Sequence, residues 1–145
     1  MADKEYISYE EITNECKKLA MRLKSNGFNK IIAVTRGGMV PACLLAQFLD
    51  IREISSISLV SYSFENKCEE IKCLVSPGVV IDNQTLFVDD LYDSGQTYSF
   101  MKDTYPQAKA VVIYSKNNRA KLDFPAVEKN ADTWLVFPWE FEPVP

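Results

Sequence analysis

Three carboxylates within five residues, Asp89, Asp90 and Asp93, run directly into Ser94-Gly95-Gln96-Thr97, and this stretch combines two opposed chemistries. A helix that starts on Ser, Gly and Thr offers free backbone N–H groups, hydroxyls and the positive end of its dipole, which together can hold a phosphate. The same residues, Asp93 to Thr97, are also ordinary helix caps, so alone they leave both readings open. The neighbouring acidic pair separates them, because carboxylates beside an anion site repel the anion unless each has other work. A divalent cation or two adjacent ribose hydroxyls supply that work. Mg²⁺ takes few carboxylates and favours phosphate oxygens. The combination points to a phosphorylated ribose bound with a metal, and Asp93 is expected to face the group on the far side of that ribose.

Two further polar turns follow apolar runs: Thr35-Arg36-Gly37-Gly38 and Ser115-Lys116-Asn117-Asn118. In open parallel sheets ligands bind at the carboxyl ends of the strands, so these turns and Asp89 to Thr97 are expected to converge. The sequence has no histidine, which removes Ser-His-Asp and Cys-His nucleophile pairs and imidazole metal sites. It also has no GxxxxGK[ST] and no GxGxxG, and its acidic pair lies mid-chain instead of at the first strand, where phospho-acceptor receivers carry theirs.

The elements that must position these residues read as alternating helices and strands. Ser8-Tyr9-Glu10-Glu11 has the form of a capping box, and Ile12, Cys16, Leu19, Ala20 and Leu23 follow at helical spacing until Gly27 stops the helix. Ile31 to Val34 is a continuous apolar run, as suits a strand buried on both faces of a parallel sheet. Pro41 then sits in the first turn of a helix through Leu44, Leu45, Phe48 and Leu49. Further strands are expected at Ile54 to Val60, Thr85 to Val88, Ala110 to Tyr114 and Leu135 to Phe137, with a helix from Gly95 to Tyr105 ended by Pro106. The polar stretch from Ser61 to Pro77 reads as a long mobile loop or a hairpin. This alternation predicts a doubly wound α/β fold with a mostly parallel sheet, a small C-terminal hood and one domain over residues 1–145.

Composition bounds the function. With 16 Lys+Arg against 20 Asp+Glu, the net charge is −4, so no basic field attracts nucleic acid. Hydrophobic content of 47% excludes a disordered chain. The cysteines Cys16, Cys43, Cys68 and Cys73 contain no CxxC and read as reduced thiols. No apolar run approaches the roughly 18 residues of a membrane span, so a cytoplasmic protein without integral membrane association is expected.

Leu86-Phe87-Val88-Asp89-Asp90-Leu91-Tyr92-Asp93-Ser94-Gly95-Gln96-Thr97 resembles the phosphoribosyl-pyrophosphate (PRPP) signature of type I phosphoribosyltransferases. Ala33 to Pro41, Asp132 to Leu135 and Pro138-Trp139-Glu140 resemble bacterial 6-oxopurine members of that family. The sequence departs from the pattern at Ser94 and Gln96, at Asn117-Asn118, and in a shorter C-terminus.

The resemblance implies PRPP and a purine base as substrates and Mg²⁺ as cofactor. By it, Asp89 and Asp90 bind the ribose and the metal, and Asp93, Ser94, Gly95, Gln96 and Thr97 bind the 5′-phosphate. Arg36 and Gly37 hold the pyrophosphate, and Asp93 acts as the catalytic residue near purine N7. Lys116 donates to O6, Trp134 stacks on the ring, and the Leu135 backbone reads its edge. Ser61 and Tyr62 open the mobile loop that closes over PRPP, and Trp139 is read as structural. Relatives that are dimers or tetramers imply a homo-oligomer. A non-catalytic PRPP- or nucleotide-sensing regulator of the same fold, and a transferase for another base, are the alternatives; the −4 charge argues against a nucleic-acid-binding regulator.

Overall fold

The computed structural model describes residues 3–62 and 70–145. Its elements run β1 (Lys4–Tyr6), α1 (Tyr9–Leu23), β2 (Lys30–Thr35), α2 (Met39–Leu49), β3 (Glu53–Tyr62), β4 (Glu70–Val75), β5 (Thr85–Tyr92), α3 (Gln96–Thr104), β6 (Lys109–Ser115), β7 (Val127–Glu128) and β8 (Trp134–Val136). Six strands form one sheet in the order β4-β3-β2-β5-β6-β7, parallel throughout except for the β3–β4 pair.

The continuous apolar runs explain why the sheet is buried on both faces. In β2, Ile31 and Ala33 pack with α1 and α2, against Ile12, Leu19 and Leu45, while Ile32 and Val34 pack on the opposite side with Tyr98 and Met101 of α3. Helices therefore cover both faces, as parallel strands require. Cys16 lies inside the first of these layers, where burial pushes its thiol up to about 12 and leaves it un-ionised and inert. Cys16, Cys43 and Cys73 are all free, and Cys68 lies outside the described residues. Among the described residues no helix is long and apolar enough to cross a membrane.

Helix α1 starts as its cap predicts, with the Ser8 hydroxyl accepting the Glu11 N–H at 3.0 Å. The reciprocal half of the capping box is not made. The Glu11 carboxylate instead accepts the Tyr114 hydroxyl of β6, because a tertiary donor competes successfully with the local backbone. Ser8→Ala is expected to cost about 1 kcal/mol, read as a lowered urea midpoint at unchanged slope.

The stretch from Ser61 to Pro77 resolves toward the hairpin reading: Ser61 and Tyr62 end β3 and pair with Ile71 and Glu70 of antiparallel β4. Residues 63–69 of that expected loop lie outside the described residues. The last strand, β8, does not join the main sheet. It pairs in parallel with β1 in a two-stranded sheet, so the hood draws one strand from each end of the chain.

Candidate active site

The strand order places a crossover beside β2. The chain leaves β2 to add β3 on one side and returns to add β5 on the other, so the turns after β2 and β5 diverge and leave a crevice at the strands' carboxyl ends. Thr35-Arg36-Gly37 forms one wall of this crevice and Asp90 another, in a cleft of about 1040 Å³ also lined by Ser58, Trp139 and Glu140. The Thr35–Arg36 peptide bond is cis. Gly38 is required for close approach, since a Cβ there would fall on the backbone carbonyls of Val88 and Val34, while a Cβ at Gly37 would press on the Asp90 carboxylate.

A second pocket, of about 260 Å³, adjoins α3 and is lined by Asp89, Tyr92, Asp93, Ser94, Gly95 and Thr97 among others. No side chain caps α3. Gly95 occupies the cap position at φ +85°, and the Ser94 hydroxyl meets the Gln96 N–H only at 3.5 Å. The first-turn donors are thus left toward the pocket, where the positive end of the helix favours an anion. An uncapped start of this kind can accept an anion.

Asp89 and Asp90 stand together at the end of β5, with the Asp90 N–H donating to Asp89 Oδ1 at 2.8 Å. Burial, then the adjacent Asp90 charge, holds the Asp89 carboxyl well above the usual carboxylate range. Burial also raises Asp90, against hydrogen bonds that pull it down, and the Glu140 carboxylate adds to the rise. Among the described residues neither aspartate has a Lys or Arg within ion-pair reach. An acidic pair pressed together without a cationic partner suits a divalent cation that also takes oxygens from a substrate.

Lys116 and Asp93 are brought together by the sheet itself. Strands β5 and β6 pair in parallel through Tyr92 and Ser115, so the next residue of each chain emerges side by side. The Lys116 N–H donates to the Tyr92 carbonyl at 2.9 Å, and Lys116 Nζ lies 4.0 Å from Asp93 Oδ2. The lysine side chain is only 10% exposed, whereas that of Asp93 is 65% exposed. Lys116 is therefore not a solvated loop lysine; it is a largely buried donor next to an accessible carboxylate.

Trp134 and Leu135 belong to β8 in the hood. Leu135 buries its side chain in the core, leaving only its backbone to reach a ligand, while Trp134 is 57% exposed. A large aromatic left that exposed is more informative than a buried one. Trp139, read from the sequence as structural, stacks on Phe137 at 5.0 Å and also lines the larger cleft with Glu140. The sequence signal for these two was their place in Pro138-Trp139-Glu140, immediately beyond the last strand.

Open α/β topology, an uncapped helix start and an acidic pair at the adjacent strand end suit a nucleotide- or sugar-phosphate-handling protein. The family described as "Phosphoribosyl transferase domain" matches residues 8–144, and the chain belongs to it. It is 40% identical over 139 residues to the xanthine-guanine phosphoribosyltransferase of Desulfotalea psychrophila, covering 94% of this chain and 86% of that one. It is 32% identical over 144 residues to the enzyme of the same name from Cereibacter sphaeroides, covering 93% and 86%. The crystal structure of a purine phosphoribosyltransferase from Pyrococcus horikoshii superposes with a TM-score of 0.82 at 25% identity, covering 98% of this chain and 97% of the other.

Proposed function

We propose that residues 1–145 form one catalytic unit that transfers the 5-phosphoribosyl group of PRPP to a 6-oxopurine, giving the nucleoside 5′-monophosphate and pyrophosphate in purine salvage. Xanthine, guanine and hypoxanthine are the candidate bases. The observation that carries this reading is the convergence, at the carboxyl ends of β5 and β6, of the start of α3, the Asp89-Asp90 pair and the Asp93-Lys116 pair. Those three features match the three parts of the product: a 5′-phosphate, a ribose and a polar base.

In this assignment Ser94, Gly95, Gln96 and Thr97 hold the 5′-phosphate through backbone N–H groups and hydroxyls, with Asp93 at the start of their loop. Asp89 and Asp90 accept from the ribose hydroxyls and are the residues that would hold Mg²⁺. When bound, the ion neutralises charge on the departing pyrophosphate. Arg36 and the Gly37 backbone bind that pyrophosphate from the opposite wall and stabilise the negative charge that grows on it. Because departure leaves oxocarbenium character at the anomeric carbon, stabilising the leaving group is the main catalytic task.

Asp93 stands on the base side, placed to accept the proton from N7 as the new bond forms. Lys116 donates to O6, the exposed Trp134 ring supplies a stacking platform, and the Leu135 backbone meets the ring edge. Ser61 and Tyr62, at the end of β3, would cover bound PRPP and exclude water, which otherwise hydrolyses the activated sugar. The unit is proposed to work in the cytoplasm, as a homo-oligomer (dimer or tetramer).

Base-dependent pyrophosphate release from PRPP tests the reading. Release is expected only with a 6-oxopurine present, falling to background with chelator and returning with Mg²⁺. Full turnover in chelator contradicts the role given to Asp89 and Asp90.

A further inference from the structure

The proposed purine site is assembled from two parts of the chain that are not continuous. Lys116 and Asp93 stand at the ends of β6 and β5, whereas Trp134 and Leu135 stand on β8, which pairs only with β1. A ring held between them is read correctly only if the hood keeps its place against the main sheet. Apolar contacts through Ile7, Leu135 and Phe137 bury the underside of the hood, but such contacts are non-directional and tolerate sliding.

Lys129 supplies the directional link. Its backbone N–H donates at 2.9 Å to the carbonyl of Ser115, the residue immediately before Lys116. Its Nζ lies 2.5 Å from Glu5 Oε2, and Glu5 is the residue of β1 in register with Leu135. The same ammonium lies 3.8 Å from Glu11 Oε2 and 5.2 Å from the centroid of the Tyr114 ring, and the Tyr114 hydroxyl donates to Glu11. The Lys129 side chain is 18% exposed, against 42% for Glu5 and 38% for Glu11, so the ammonium is largely sheltered while its two carboxylate partners stay partly in water. One residue thus grips the strand end that carries the O6 donor with its backbone, and the strand beside the ring-edge reader with its side chain.

We propose that Lys129 is a positioning residue for the purine, fixing the β1–β8 hood relative to Lys116. This inference rests on the assignment of the purine to Lys116, Trp134 and Leu135. Lys129 touches neither substrate; it acts through Glu5 and Ser115. It follows that the base, and not PRPP, is sensitive to its loss, since the α3 cradle and the Asp89-Asp90 pair lie on strands and turns that Lys129 does not contact.

The test is steady-state kinetics of Lys129→Met and Lys129→Arg, with Glu5→Gln and the Lys129→Met/Glu5→Gln double variant. Lys129→Met is expected to lower kcat/KM for the base by about 10- to 100-fold, as small misplacements of a reacting partner do, with KM for PRPP unchanged. Lys129→Arg restores most of the loss, and the double variant is no worse than Lys129→Met, because both substitutions break one link. Hydrogen exchange at the Tyr6 and Val136 amides is expected to rise in Lys129→Met while that of β5 stays at the wild-type rate.

An unchanged KM and kcat for the base overturns the proposal. So does an equal loss toward both substrates, which would mark Lys129 as a general stability residue. Wild-type enzyme inactive with every purine would instead overturn the underlying assignment of the base site.

Discussion

Asp93→Asn is expected to lower kcat by about 10²- to 10⁴-fold, the range contributed by a positioned acid or base, while the dissociation constant for PRPP stays at its wild-type value. The separation follows from geometry. Asp93 begins the cradle loop and lines the pocket with it, and its carboxylate, 65% exposed, lies 4.0 Å from Lys116, the residue proposed to meet the base. The donors proposed for the cradle are the backbone groups and hydroxyls of Ser94 to Thr97, of which Ser94, Gly95 and Thr97 line the pocket, and asparagine leaves them in place. Asparagine keeps the shape of the side chain but cannot take a proton, so the loss falls on the chemical step. Single-turnover kinetics beside equilibrium PRPP binding measures both quantities, and a collapse of PRPP affinity with kcat intact contradicts the assignment.

Adenine is expected to be a very poor substrate, with kcat/KM about 10⁴-fold below that of a 6-oxopurine, the discrimination typical of a site whose buried polar group loses its partner. Lys116 is the reason. Its side chain is 10% exposed, and an ammonium has only donors, so in the proposed site it would pair with the O6 carbonyl and would face a second donor when adenine presents an amino group. Lys116→Met removes both the preference for O6 and the penalty against the amino group, so the ratio of the two specificity constants collapses. Efficient use of adenine by the wild type, or an unchanged ratio in Lys116→Met, contradicts the role of this lysine.

Much of this arrangement was legible in the sequence where the physics is local. The apolar runs at Ile31 to Val34, Thr85 to Val88 and Ala110 to Tyr114 became the central strands, because burial on both faces leaves no room for polar residues. Ser8 and the spacing from Ile12 to Leu23 defined α1 for the same kind of reason. What escaped was set by distant pairing. Lys4–Tyr6 is only three residues with two exposed, and it becomes a strand because β8 lies beside it. Glu70–Val75 alternates as Glu, Ile, Lys, Cys, Leu, Val in a mostly exposed edge strand, a pattern too mixed to separate from loop. Val127–Glu128 is too short for any periodicity to register.

The candidate site divides along the same line. The acidic pair and the cradle are contiguous in sequence and could be read there, whereas the approach of Glu140 to Asp90 and the clasp of Lys129 on Glu5 depend on how the chain's two ends meet. Glu11 shows the competition directly. Its spacing from Ser8 predicted a local backbone partner, and the folded chain gives it Tyr114, more than a hundred residues away.

The most direct test of the central claim is identification of the product by chromatography and mass spectrometry after incubating the chain with PRPP, Mg²⁺ and each of xanthine, guanine and hypoxanthine. The account predicts that at least one of these bases is converted to its nucleoside 5′-monophosphate, with pyrophosphate formed in equal amount and none formed when the base is omitted. PRPP left intact with all three, or consumed at the same rate without a base, would contradict it.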